Sequence, residues 1–298
     1  MAVVGQTRLT LAAAVVFLNE ERLLPRMLAS LERQTRPPEL LLLVDDGSED
    51  DSTLAAAAFA DEHPFARVLE RPKRPQSRDR LAQAAELSAF RWALEQLGNE
   101  RHDVLAKLDA DLELPPDFFA RIMAAFESDH ELGIAGSELS VTGDGEPEHS
   151  QPWHVRGATK FYRARCWQAI EPLPPILGWD TIDETRARIN GWQVRSVPFP
   201  EQTPRHLRPT GSHDGAVRGF RRRGAAAWGY GAHPLHVLAS ALVRTRHRPL
   251  ILGGLAYLGG YLQAALRRAP RAEPAARRYL RREQLHRLQG AFLRGGAR

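Results

Sequence analysis

The chain has a single cysteine, Cys166, among 298 residues. One sulfur cannot close an internal disulfide, and thiolate zinc sites need more than one, so a secreted disulfide scaffold and a zinc finger are both excluded. Lysine is almost as scarce: of 41 basic side chains only Lys73, Lys107 and Lys160 are lysine. That bias toward arginine reflects coding preference at least in part. Residues Met1 to Arg8 lack a basic stretch leading into an apolar run and a small-residue cleavage site, so no signal peptide is expected and the cytoplasm is the expected compartment. No self-similarity occurs at solenoid periods. With 43% hydrophobic and 26% charged residues, disorder, collagen and coiled coil are excluded as the main architecture, and the length suits one large domain or two smaller ones.

What charge there is lies unevenly. The formal net charge is +5, but the part from Ala216 onward holds 17 arginines against Glu273 and Glu283, or +15, leaving −10 on the rest. An acidic body joined to a basic tail predicts a body that holds a cation and a tail that meets polyanions. The expected boundary is 1–215 for the body and 216–298 for a basic helical region.

The body alternates strand-like and helix-like stretches. Leu9 to Leu18 is an apolar run that stops at Asn19, a good helix N-cap, with Glu20 and Glu21 where a helix dipole favours acids. Leu40 to Val44 is too short for a helix and apolar on both faces, as a buried parallel strand should be. Ser52 to Glu62 reads as helix, Ala66 to Glu70 as strand, Arg80 to Leu97 as helix and Val104 to Leu108 as strand. A further helix is expected over 117–128, a strand over 132–141, and helices over 162–170 and 181–190, the last ended by Gly191. Repeated units of this kind predict an α/β fold with a mostly parallel sheet flanked by helices. Ligands of such sheets sit beyond the carboxyl ends of the strands.

Polar groups stand where three of these strands should end. Asp109 and Asp111 close one strand, and residues two apart in extended chain point the same way. Such a pair suits a hard divalent cation that keeps other positions for water and phosphate, or alternatively caps the next helix or faces solvent. Asp45-Asp46-Gly47-Ser48 ends a neighbouring strand. Its carboxylates could accept bonds from ribose hydroxyls or a uracil N3 hydrogen, while Gly47 lets the backbone turn sharply; ordinary turn chemistry explains the same residues. Phe17-Leu18-Asn19-Glu20-Glu21 ends the first strand.

The Asn-Glu-Glu, Asp-Asp-Gly-Ser-x-Asp and Asp-Ala-Asp motifs, in this order and spacing, resemble a family 2 glycosyltransferase of the GT-A fold, of bacterial type. The likeness runs on through Gly178-Trp179-Asp180-Thr181-Ile182-Asp183-Glu184, Arg186, Gly191 and Trp192, and spans roughly Leu9 to Gly215. The resemblance implies that Phe17, Asn19, Glu20, Asp45 and Asp46 line the nucleotide pocket and that Asp109 faces the ribose. Asp111 would hold Mg²⁺ or Mn²⁺, together with Asp109 and with His206 in His206-Leu207-Arg208; His213 is the second candidate histidine. Asp180 would be the catalytic base, with Trp179 where the family usually has Glu, and with Asp183 and Glu184 close enough in sequence to take the role. One departure stands out: Leu87 to Leu94 lacks the glycine of the family's Ala-Arg-Asn-x-Gly-like segment. Arg78 and Arg80, just upstream, either reach donor phosphate or are solvated.

The implied activity is inverting, metal-dependent transfer of a sugar from a nucleotide sugar, UDP-linked by preference, to a hydroxyl of a saccharide or lipid-linked acceptor, as in building cell-envelope polysaccharide. Residues 249–266 carry no charge and are bracketed by Arg244, Arg246 and Arg248 before and Arg267, Arg268 and Arg271 after. That run is expected either to lie in an anionic membrane surface at the inner face of the cytoplasmic membrane, or to pack on the body or form a homodimer. A nucleotidyltransferase is the enzymatic alternative, but the stretch after Leu18 has no glycine until Gly47. Nucleic-acid binding through the arginine-rich tail is the other, and no nucleic acid is expected because aromatics do not interleave with the arginines.

Overall fold

The computed structural model describes residues 8–72, 83–141, 147–148, 154–208, 215–245 and 250–295. The chain divides into two units, the first Met1–Gln76, Glu86–Glu171 and Asn190–Pro209, the second Ser77–Ala85, Pro172–Ile189 and Thr210–Arg298.

In the first unit the apolar runs become strands covered on both faces. Leu11–Phe17 (β1) and Leu40–Asp45 (β2) are buried almost throughout. Between them Leu24–Glu32 (α1) buries Leu24, Met27, Leu28 and Leu31 on one stripe. Ser52–Glu62 (α2) leads to Ala66–Glu70 (β3), and Ala85–Glu95 (α3) to Val104–Asp109 (β4). After Leu112–Glu113 (β5), Phe118–Ser128 (α4) buries Phe118, Phe119, Ile122, Met123 and Phe126. Leu132–Ser137 (β6), Leu139–Val141 (β7), Pro147–Glu148 (β8), Thr159–Arg163 (β9) and Ala164–Ile170 (α5) follow. Trp179–Ile189 (α6) belongs to the second unit, and Gln193–Val197 (β10) and Arg205–His206 (β11) return to the first.

One sheet runs β10-β6-β9-β4-β1-β2-β3, and a smaller one runs β5-β11-β7-β8. Every pairing in the large sheet is parallel except those of β9, which lies antiparallel between β4 and β6. The mostly parallel α/β sheet expected from the alternation is therefore present.

Three local expectations differ from the structure, one of them only in where its helix starts. Asn19 does not cap a helix: its φ is +54°, and α1 starts only at Leu24, with Pro25 in its first turn. The stretch from Tyr162 does not begin a helix. Thr159 to Arg163 is β9, whose β-branched and aromatic residues fill the gap between two sheet strands before α5 starts at Ala164. The single strand over 132–141 is broken at Glu138, and its two parts enter different sheets.

The second unit is helical, with Ala216–Gly229 (α7), Pro234–Arg244 (α8), Leu252–Leu266 (α9) and Pro274–Gly295 (α10) following α6. Helices α7 and α9 cross backbone to backbone. A Cβ on Gly224 would stand 1.9 Å from the Tyr257 carbonyl oxygen, and one on Gly260 1.9 Å from that of Arg221, so only glycine permits this approach from either side. Tyr257 is buried with Ala227, Val237 and Ala241, under the Arg244 guanidinium 4.4 Å from its ring centre. Arg186 of α6 grips Glu273, just before α10, through two bonds of 2.7 and 2.9 Å. Among the described residues no helix is long and apolar enough to cross a membrane.

Candidate active site and metal centre

Register brings the polar strand ends to one level. Phe17 at the end of β1 faces Asp45 at the end of β2, and Val16 faces Asp109 at the end of β4. Three separate stretches of chain thus open on the carboxyl edge of three adjacent strands, where ligands of parallel sheets bind.

The loops after β1 and β2 are laced together. The Asn19 amide donates to Ser48 Oγ at 3.1 Å, its side-chain oxygen accepts the Glu49 amide at 2.8 Å, and the Glu20 amide donates to Ser52 Oγ at 2.7 Å. Asp45 clasps its own turn: one oxygen accepts the amides of Gly47 and Ser48 at 3.0 and 2.7 Å, and the other accepts the Thr53 hydroxyl at 2.6 Å. Gly47 has a φ of +99°, a backbone position that a side chain would strain. Asp46 is buried, holds the Arg71 guanidinium at 2.6 Å and donates its amide to the Phe17 carbonyl at 2.9 Å. Arg71 also reaches Ser88 Oγ at 3.3 Å and lies 5.7 Å from the centre of the Trp92 ring. The Phe17 ring is part of the hydrophobic core beneath the loops.

Beyond β4, Asp109, Asp111 and His206 each offer a ligand atom, all within 4.8 Å of one another. His206 reaches this place because β11 runs antiparallel to β5, with His206 opposite Leu112, and the Leu207 amide donates to the Asp111 carbonyl at 2.8 Å. Its Nε2 lies 3.1 Å from Asp111 Oδ1. Arg208 donates from Nε to Asp111 Oδ2 at 3.0 Å, and its Nη2 also binds Glu20. Burial pushes the Asp111 carboxyl up, but the hydrogen bond and charge of His206 and the Arg208 guanidinium outweigh it and hold the group below the usual aspartate value. Lys107, fully buried, binds Asp109 and the Gly157 carbonyl, the latter at 3.0 Å. Burial pulls its ammonium down, and the carboxylates of Asp109, Glu86 and Asp111 more than reverse this, so it stays charged. Two carboxylates and an imidazole that converge in this way form a donor set suited to Mg²⁺ or Mn²⁺.

Asp180 and Asp183 stand on α6 of the second unit. Asp180 is half-buried, whereas Asp183 and Glu184 are buried; the Glu184 amide donates to Asp183 Oδ1 at 2.6 Å, and Arg188 reaches the Glu184 carboxylate at 3.4 Å. Gly178, just before the helix, has a φ of +86°, and a Cβ there would lie 2.8 Å from the Tyr230 ring. Arg78, Arg80 and His213 lie outside the described residues.

Three side chains at the sheet edge had no role in the sequence-based expectations: Lys107, Arg71 and Arg208. Lys107 and Asp109 lie two apart on β4 and so share a face. Asp111, expected to continue that strand, lies past its end in a turn, and Arg208 lies past the end of β11, so strand periodicity explains the place of neither. Arg71 carries no such local signal, because its partner Asp46 reaches it only through the pairing of β2 with β3.

A family model, glycosyl transferase family 2, matches residues 13–176. No curated protein sequence matches the chain. Among solved structures, the mannosyltransferase PcManGT from Pyrobaculum calidifontis, crystallised with GDP-Man and Mn²⁺, superposes with a TM-score of 0.56 at 18% identity, over 96% of this chain and 81% of that one. S. aureus TarS 1-349 in complex with UDP-GlcNAc gives a TM-score of 0.50 at 12% identity, over 87% of this chain and 73% of its own. At these identities the likeness is one of fold, and the fold is GT-A. With more than half of its length matched by the family model, and acids converging at the carboxyl edge of its sheet, the chain belongs to glycosyl transferase family 2.

Proposed function

We propose that this glycosyltransferase moves a sugar from a nucleoside diphosphate donor, UDP-linked by preference, to a hydroxyl of a saccharide or lipid-linked acceptor, with inversion at the anomeric carbon. The observation that carries the reading is the convergence of Asp109, Asp111 and His206 within 4.8 Å beside the loops that end β1 and β2. A divalent cation bound there, Mg²⁺ or Mn²⁺, supplies Lewis acidity toward a diphosphate leaving group.

The protein's own groups do the rest. Asn19, Glu20, Asp45 and Asp46 form or brace the nucleotide pocket, and the ties that lace their loops together hold it ready before the donor arrives. Arg208 sits against Asp111 and Glu20, where its guanidinium is placed to meet phosphate oxygens. Asp180 is the base: it accepts the proton of the acceptor hydroxyl as that oxygen bonds to the anomeric carbon and the bond to the diphosphate breaks. Its partial exposure supports this choice over Asp183 and Glu184, which are buried. One base and one displacement give inversion.

The experiment is a nucleotide-release screen over UDP-, GDP- and dTDP-sugars with Mn²⁺ or Mg²⁺ and a lipid extract as acceptor, followed by NMR of the product. Release that depends on the metal, with inverted configuration, is expected. A product of retained configuration overturns the single displacement.

A further inference from the structure

Helices α8 and α9 of the second unit are amphipathic in an unusual sense, for each turns leucines to solvent. On α8 the side chains of Leu235, Leu238 and Leu242 follow one another at helical spacing, and on α9 those of Leu252, Leu255, Leu262 and Leu266 do the same; these seven are between 55% and 85% exposed. The opposite faces are taken. Val237 and Ala241 of α8, and Gly253, Gly254, Tyr257, Gly260 and Ala264 of α9, are buried, with Gly260 carrying the backbone crossing on α7. At the corner that enters α9, Leu250 and Ile251 are also more than half exposed. Scattered surface leucines are ordinary, but a leucine stripe on each of two consecutive helices, with two exposed apolar residues entering the second, is an apolar surface of the kind that marks docking.

Charge identifies what docks. From Ala216 to Ala272 the sequence has ten arginines and no acid, and Arg267 and Arg268, just past the last leucine, are exposed. A second copy seated on this face by a two-fold axis would bring the same arginine-bearing helices, which contain no acid of their own, against themselves. A surface that is apolar inside and negative outside satisfies both features at once. No described helix is long and apolar enough to cross a membrane, so the stripes lie on it instead of spanning it.

We propose that α8 and α9 seat the protein on an anionic phospholipid surface, the leucine stripes entering the boundary between headgroups and acyl chains and the flanking arginines meeting lipid phosphates. This goes beyond the sugar-transfer reading and does not depend on it.

The test uses the full chain with vesicles of phosphatidylcholine alone or mixed equally with phosphatidylglycerol. Wild type is expected to float with the mixed vesicles and far less with phosphatidylcholine alone, and to be released by salt. A Leu255→Gln/Leu262→Gln variant should partition at least tenfold less, and an Arg267→Gln/Arg268→Gln variant several-fold less with a flatter salt dependence. Both should keep the wild-type circular dichroism and melting temperature, since the changed side chains are on the surface. Wild type left unbound by the mixed vesicles, equal binding to both vesicle types, or leucine variants that bind as wild type does would each overturn the proposal. So would a wild-type dimer in light scattering that the leucine variant turns into monomer.

Discussion

The two units use the same chemistry in opposite ways. In the first, leucines and phenylalanines are inside and the charged groups at the sheet edge are held by partners: Asp46 by Arg71, Asp109 by Lys107, Asp111 by His206 and Arg208. In the second, a stretch without a single acid carries its leucines outward. Pairing fixes side chains where atoms must be placed to within fractions of an ångström, as reaction geometry demands. A surface that meets fluid lipid has no such demand, and its requirement is area and sign of charge. The contrast sets the paired acids of the first unit's sheet edge against the outward leucines of α8 and α9, the surface proposed above to meet lipid.

The strongest way to break that comparison is to remove one carboxylate from each unit. Asp180→Asn is expected to lower kcat by on the order of 10²- to 10⁴-fold with donor affinity retained, because a base acts only while the proton moves. Asp111→Asn is expected to cost about 10²- to 10³-fold in activity and also to weaken Mn²⁺ binding, seen by electron paramagnetic resonance titration of the protein without donor. If Asp180→Asn turns over normally, the base is not on that face of α6. If Asp111→Asn binds Mn²⁺ as wild type does, the donor set is not the metal centre.

The helical unit is sharpened by its glycines. Gly224→Ala must open a contact in which Cβ would stand 1.9 Å from a carbonyl oxygen, and neither backbone can yield cheaply. A loss of roughly 1–3 kcal/mol or more is expected in denaturant unfolding. Gly219→Ala, on the same helix with nothing within 4 Å of the added carbon, is the control and should gain about 0.5–1 kcal/mol from helix propensity.

These sites differ in how far the sequence discloses them. Strands β1 and β2 are legible because burial on both faces demands unbroken apolar runs, and β4 because Lys107 alone interrupts its run; polar groups stand where each run ends. Strand β9 is not legible, since its place between β4 and β6 is fixed by partners that both lie upstream in the chain, more than 20 residues away. The clasp formed by Asp45 and the ion pair of Asp46 with Arg71 are equally hidden, because each acid reads the same whether it holds a loop, a cation or a ligand. That Gly224 and Gly260 let α7 and α9 touch emerges only from the crossing itself.

Arg208 offers a subtler probe of the paired site. Its guanidinium occupies Asp111 Oδ2 at 2.9 Å and Glu20 besides, so it competes for the carboxylate that a cation would bind. Arg208→Gln is expected to tighten Mn²⁺ binding in the absence of donor while weakening the nucleotide sugar by about tenfold, the worth of a charge-assisted hydrogen bond. Opposite movements of the two affinities, measured by titration calorimetry, distinguish this role from a purely structural one, which would weaken both.

The smallest effect belongs to the rear of the same unit. Glu127, at the end of α4, accepts the Leu9 amide at 3.1 Å and pairs with Arg36 at 2.8 Å, while Arg36 also donates to the Leu9 carbonyl at 2.8 Å. Burial raises the Glu127 carboxyl, and the Arg36 hydrogen bond with that amide outweighs it, so the folded-state value lies below the ordinary 4.5. A depressed carboxyl binds fewer protons folded than unfolded, so its stabilisation is complete above the ordinary value and is lost as pH falls through the folded one. Glu127→Gln should therefore cost about 1 kcal/mol near neutral pH. The gap between variant and wild type in denaturant midpoint should close as the medium is acidified. A gap that stays constant down the same pH range would mean that the side chain stabilises by shape and hydrogen bonding alone, with its charge contributing nothing.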